Sequence, residues 1–450
     1  MPKYTTIKNT KRQKIKRKIK NRTIKNNENN NIKHKVLGNS STINLLKEKY
    51  NRIKKKINIK KYSNKNSKIN IIANTIPHAG FEYSGLHALF AIDEVIKYNS
   101  KEITILWFQH NPNSNEEHSL ENVRKLVKLL KPTIKIHNIM ISSNTKLSDI
   151  NLKIKGGLLI STDFSHHNNG NPDYMDKVWL NDQKNFISDT GEIKPCGNNP
   201  LRILKEFVKK NNLSVKLLCY SNSQDKEIWW NPLKKDLFNG VTYASLGCFI
   251  SNENWLLNLD SKLLAYSHLK WVEQFLNQSN NIINNGLYWS PLNQYKGSSF
   301  VTISDFSDKT LSCFGYWEDI NDINNSENLE NSENNILNCI KQASLSVKTA
   351  SWNGRQSINL NNLMNYKISI TLIEPIKNWE KIGNIRKKGK GYVYMKNGKV
   401  GMTYLPSVWK LFMIKSNFFK NLKKKQTDHY SDFNDWELYS YNSISWTLDS

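Results

Sequence analysis

Between residues 69 and 250, short apolar runs rich in β-branched residues alternate with amphipathic stretches, and this rhythm constrains the fold more than any other feature of the chain. An apolar run of four to eight residues without polar alternation fits a strand buried on both faces. Segments 69–76 and 103–108 have that character, and 134–141, 157–162, 215–220 and 241–250 also read as strands. Between them, 85–98, 174–187 and 200–210 read as helices, and Leu120, Val123, Leu126, Val127 and Leu130 form a helical stripe. Strands alternating with helices predict an α/β sheet with right-handed crossovers.

After residue 254 the rhythm changes. Residues 258–278 read as one long helix, followed by strands at 298–303 and 313–317. A low-complexity loop at 321–335 precedes a helix stripe (Ile336, Ile340, Ala343, Val347) and a strand at 368–375. This half is expected to be α+β. The expected organisation is therefore a disordered Lys/Asn-rich arm at 1–68, an α/β domain at 69–255 and an α+β domain at 256–450. Part of 42–56 has helical character.

The net charge of +28 is concentrated at one end, because residues 1–70 carry 23 Lys and Arg against Glu28 and Glu48. The nearly balanced remainder argues against a nucleic-acid machine, whereas the arm suits a nuclear-localisation or nucleic-acid-binding tail whose affinity would fall steeply with salt. Five cysteines without a CxxC pair exclude a disulfide scaffold and a zinc-finger array. No apolar run is long enough to span a bilayer, and no apolar core follows the basic N-terminus. The expectation is an intracellular protein, cytoplasmic or nuclear, without a membrane partner.

Chemistry concentrates in the first half. Seven of the ten histidines lie between positions 78 and 167. Three of them, His78, His110 and His166, fall at or just past the carboxyl ends of expected strands, where sheet ligands bind. Imidazole suits Fe, Cu and Zn, and two histidines with one anionic group leave open positions for catalysis. Asp163, Glu117, Glu121 and Cys196 are all candidates for that third ligand. Asp163 and His166, spaced DxxH, form a candidate acid/base pair. His118 and Glu121, three apart at a helix start, are candidate supporting residues. A Cys–His hydrolase with Cys196 as nucleophile is the competing chemistry, but it leaves two strand-end histidines unexplained. No phosphate-binding glycine loop occurs.

The segments TIPHAGFEYSG, EHSLE, STDFSHH, the PCG turn and VTYASLG, in that order, resemble the Memo family, which shares its fold with class III extradiol dioxygenases of the LigB type. The resemblance covers roughly residues 70–252. It implies His78, His110 and Cys196 as ligands of iron or copper, with zinc as the redox-inert alternative. It also matches Asp163 and His166 to the family's SSDFxH motif, so these two would handle protons, with His118 and Glu121 in support by their spacing. The family's GPSHH loop is replaced here by Trp107-Phe108-Gln109-His110-Asn111.

The second half resembles the AMMECR domain through SSFVTI, the CFG at Cys313–Gly315, ISITLIEP and GKVGMTYLPSVW. The family's LRGCIG reads TLSCFG here, without its arginine. The order Memo then AMMECR resembles a fusion that implies a joint substrate and, by family analogy, a radical-SAM partner. The ligand set of two imidazoles and one thiolate suggests a metal-dependent oxidoreductase acting with oxygen on an unidentified substrate. The alternative is a non-catalytic scaffold whose remodelled pocket binds a peptide or protein.

Overall fold

The computed structural model describes residues 40–62, 68–99, 101–109, 117–164, 198–222, 241–250, 255–277, 297–317, 366–383, 387–412, 414–430 and 432–449. They form a mixed α/β structure on three sheets. The chain begins with α1 (Ser40–Lys56) and β1 (Ile57–Tyr62), followed by β2 (Ala73–Ile76), α2 (Phe81–Ile96), β3 (Glu102–Trp107) and α3 (His118–Leu130). Next come β4 (Lys135–Met140), the short α4 (Leu147–Ile150), β5 (Gly157–Ser161), α5 (Asn198–Lys210), β6 (Ser214–Asn222) and β7 (Thr242–Phe249).

Strands β2 to β7 make a six-stranded sheet of order β4-β3-β5-β2-β7-β6. The pairs β2–β5, β3–β5 and β3–β4 are parallel, while β7 runs antiparallel to β2 and β6. Strand β5 inserts between β2 and β3, so the carboxyl ends of these three strands lie side by side. Helix α2 is buried along nearly its whole surface, because it is apolar around most of its circumference and packs on the sheet, α1 and α3. Each fully buried Leu or Phe of such a helix stabilises the fold by ~1.5–3 kcal/mol.

Residues 40–62 correct the expected disordered arm. Ile43, Leu46, Tyr50, Ile53 and Ile57 recur three and four apart, and this stripe seats α1 on α2. Tyr50 meets Phe90 edge-on at 4.9 Å, and Lys54 pairs with Asp93 at 2.7 Å. The approach is close enough that a Cβ on Gly85 would stand 2.7 Å from Leu46 Cδ2. Strand β1 then pairs along its full length with a strand from the far end of the chain. The helical character expected over part of 42–56 is present as α1, but low mean hydropathy across the arm concealed its docking on α2 and the strand that follows. Residues 1–39 lie outside the described set.

The second half continues with α6 (Trp255–Asn258), α7 (Lys262–Asn277), β8 (Ser298–Ser304), β9 (Thr310–Tyr316), β10 (Lys367–Ile373), β11 (Glu380–Lys381) and β12 (Gly391–Lys396). Then follow β13 (Lys399–Tyr404), α8 (Lys415–His429), β14 (Glu437–Tyr441) and β15 (Ser443–Leu448). One antiparallel sheet has the order β1-β15-β10-β8-β9, and a second has β11-β14-β12-β13. In the first, the Phe300 ring covers Gly315 of the CFG segment, where a Cβ would lie 2.2 Å from the ring. Against the second, α8 seals an aromatic cluster in which Trp409 stacks on Phe418 at 3.8 Å.

Helix α7 packs on α2 and β6 on one side and on β1, β10 and β15 on the other. The apolar core therefore runs unbroken from the six-stranded sheet into the five-stranded one. The expected helices at 174–187 and 336–350 lie outside the described residues. No helix among the described residues is long and apolar enough to cross a membrane.

Candidate functional site

The register of β2 on β5 builds the site. Ile76 lies opposite Ser161, and Thr162 N donates to Ile76 O at 3.0 Å. Continuing the parallel alignment two residues beyond the ladder sets His78 beside Asp163. The His78 backbone N–H donates to Asp163 Oδ1 at 2.8 Å, and His78 Nε2 lies 3.7 Å from Asp163 Oδ2. His78 Nδ1 meets Ser161 Oγ at 2.9 Å. Asn122, reaching from α3, donates to the carbonyls of His78 and Ala79 at 2.8 and 3.3 Å. The histidine is thus held at its backbone N–H, its backbone carbonyl and its ring. Such over-determination locks a side chain into one geometry.

Helix α3 delivers the next layer. Its first residue, His118, sets its ring edge-on to His78 with centroids 5.3 Å apart. Glu117 is buried at the N-cap, accepts from Ser119 N, and lies 3.3 Å from His118 Nδ1. A carboxylate there also answers the positive end of the helix dipole. Ser119 Oγ donates to Phe108 O at 2.7 Å, tying α3 to the end of β3, and the Phe108 ring lies 6.2 Å from His78.

Burial of Asp163 raises its carboxyl to about 7, with the backbone N–H groups of His78 and Ala79 opposing the shift. Its folded-state value stands above the ordinary one. In the metal-free chain this contribution is therefore fully favourable below about pH 4 and fades as pH rises through 7.

Of the residues expected from the sequence, His78, Asp163 and His118 come together. Glu117, one of the four candidate third ligands, joins them. Glu121 sits one turn along α3 and pairs with Arg124 at 2.7 Å. The i,i+3 spacing that suggested a partnership with His118 serves this surface ion pair instead. His110, His166, His167 and Cys196 lie outside the described residues. Among the described residues, no group of three or more His, Cys, Asp and Glu side chains converges as a metal cluster. His137 pairs with Glu102 at 3.0 Å, and His87 is sealed between Ser221 and Ser245, so both are structural.

Sequence reasoning missed Ser161, Ser119 and Asn122. Ser161 was visible as the first residue of STDF, on the same strand face as Asp163, while Asn122 carries no signal short of the fold.

No protein-family model and no curated protein matches this chain. Among solved structures, an uncharacterized protein from Pyrococcus horikoshii is similar at 14% identity, covering 40% of this chain and 86% of its own, with a TM-score of 0.28.

Proposed function

We propose that the chain is a Memo-like protein that binds a non-haem metal at the carboxyl ends of β2, β3 and β5, joined to an AMMECR-type second half. The observation that carries this reading is His78, fixed at three points beside Asp163 at an adjacent strand end and His118 at the start of α3. The donor chemistry fits, since imidazole suits borderline metals such as iron, copper and zinc. His78 would hold the metal together with His110 and Cys196, the positions the family resemblance supplies. A bound iron or copper would supply one-electron chemistry toward oxygen.

The chain's own residues prepare that site. Asp163 holds the turn that carries His78, and its Oδ2 stands where a proton can be held next to the ring. Glu117 and the edge-on contact with His78 orient His118 at the mouth of α3. Ser119 and Asn122 clamp α3 against the ends of β3 and β2, so the three strand ends behave as one rigid platform.

The test is elemental analysis of the full-length chain purified without oxygen, beside His78→Ala and Cys196→Ala. About one iron or copper per chain, lost in both variants, is expected for a three-ligand catalytic centre. A metal-free wild-type chain, or metal retained in both variants, would remove the metal reading and leave the platform as a peptide- or protein-binding pocket.

A further inference from the structure

The hydrogen bonds around Ser161 decide which nitrogen of His78 faces the site. Ser161 Oγ makes two short contacts, one to His78 Nδ1 at 2.9 Å and one to the backbone carbonyl of Ser119. A serine hydroxyl has one proton to give. The carbonyl can only accept, so the Ser161 proton goes to Ser119 O. The contact with His78 is then a hydrogen bond only if the ring donates from Nδ1. We infer that Ser161 is a positioning residue that holds His78 as the Nδ1–H tautomer, so that the ring presents the lone pair of Nε2 to a metal ion.

The inference rests on the metal reading for its purpose, but its first half concerns the metal-free chain alone. The surroundings agree with it. Nε2 is the nitrogen on the side of Asp163, while Nδ1 is turned back into the sheet. The chain of donors runs from His78 through Ser161 to the first turn of α3, and Ser119 carries it on to Phe108 O. A relay that crosses from β2 to β5 to α3 to the end of β3 couples ring orientation to the placement of all three strand ends. Groups of this kind, which set the tautomer of a ligating histidine, typically govern metal affinity by 10–100-fold.

The experiment uses the full chain labelled with 15N-histidine, treated with chelator and held at pH 8. Long-range 1H–15N correlation distinguishes the two neutral tautomers, and His78→Gln identifies the His78 signal. The Nδ1–H pattern is expected in wild type and in Ser161→Thr, which keeps the hydroxyl. Ser161→Ala is expected to move toward Nε2–H, the form an unrestrained neutral imidazole favours. In parallel, zinc alone is titrated calorimetrically. Ser161→Ala should bind about 10–100-fold more weakly than wild type, with Ser161→Thr close to wild type.

A wild-type His78 in the Nε2–H form overturns the inference whatever the metal does, and that measurement needs no Ser161 variant to fold. Unchanged zinc affinity in Ser161→Ala overturns the positioning role. An Nδ1–H ring in a wild-type chain that binds no zinc overturns the metal reading instead, and leaves the tautomer assignment standing.

Discussion

Acidification should destabilise this protein through two buried histidines. His87, on α2, lies wholly inside the fold with Nδ1 2.7 Å from Ser221 Oγ and Nε2 2.8 Å from Ser245 Oγ. Ser245 donates its own proton to Thr75 O, so His87 donates from Nε2 and accepts at Nδ1 from Ser221. A second proton on the ring would meet the Ser221 proton head-on in a site closed to water. Burial accordingly lowers His87 from 6.5 to about 3. His268, on α7, is lowered to about 4 by burial, opposed by its bond to the Leu264 carbonyl.

Because both folded values lie below the ordinary one, the unfolded chain takes up these protons first. Their contribution to stability is whole above about pH 6.5 and is lost as pH falls toward 4 and 3. At pH 4.5 the loss is about 3 kcal/mol for His87 and about 2.5 kcal/mol for His268. Over the same range Asp163, raised to about 7, acts in the opposite sense, because the folded chain takes up that proton first; the net acid sensitivity is the histidine loss less this gain.

The assay is urea denaturation at several values between pH 7.5 and 4.5, comparing wild type with His87→Gln. Glutamine can donate to one serine and accept from the other, and it does not titrate. The slope from each buried histidine grows from near zero at pH 7.5 to about 1.4 kcal/mol per pH unit below about pH 5.5, so the variant should lose one such contribution. Contributions from surface groups cancel in the comparison. Equal slopes in the two proteins would refute the reasoning, since they would mean that His87 is protonated in the folded state or does not unfold with the core.

Further expectations concern the fold. Truncation before residue 69 strips α1 from α2 and β1 from β15, and should give an aggregating or unfolded product by thermal scanning and size-exclusion chromatography. Tyr50→Ala removes the ring packed on Phe90 and should cost about 3 kcal/mol by denaturant titration, whereas a solvent-facing α1 would show almost none. Gly315→Val should displace the Phe300 ring and lower stability by ~1–3 kcal/mol; a melting temperature equal to wild type would exclude the close cross-strand contact.

Most of the six-stranded sheet was legible. Runs such as 103–108 and 157–162 are mostly apolar because both faces of their strands are buried, and they coincide with β3 and β5 to within one residue. The stripe through Leu120 and Leu130 falls within α3, whose buried Val123, Leu126 and Val127 face the core. Other elements were written in the chain but obscured by composition. The helical character of part of 42–56 could be read, but the repeat from Ile43 to Ile57 lies in a segment dominated by Lys and Asn, so its burial against the core could not. Asn397 and Gly398 both adopt left-handed backbone at the turn joining β12 to β13, the form a two-residue hairpin favours. That dipeptide was a usable signal between two aromatic-rich strands.

The candidate site divides in the same way. That His78 and Asp163 follow strands could be read directly, since a strand's end is marked by local pattern. Their adjacency could not. It depends on β5 entering the sheet between β2 and β3, an order chosen by how the helices pack across the sheet faces. The tautomer of His78 depends further on a serine from β5 and a carbonyl from α3, groups 83 and 42 residues distant along the chain from their partners in that relay. Periodicity is a property of neighbours in sequence, and so the amino-acid order alone settled which segments become strands and helices and which residues stand at their ends. Strand order, the docking of α1 and β1, and the single hydroxyl proton that orients His78 belong to the tertiary structure. Each is decided by which distant groups burial forces into contact, and by the requirement that every buried donor find an acceptor.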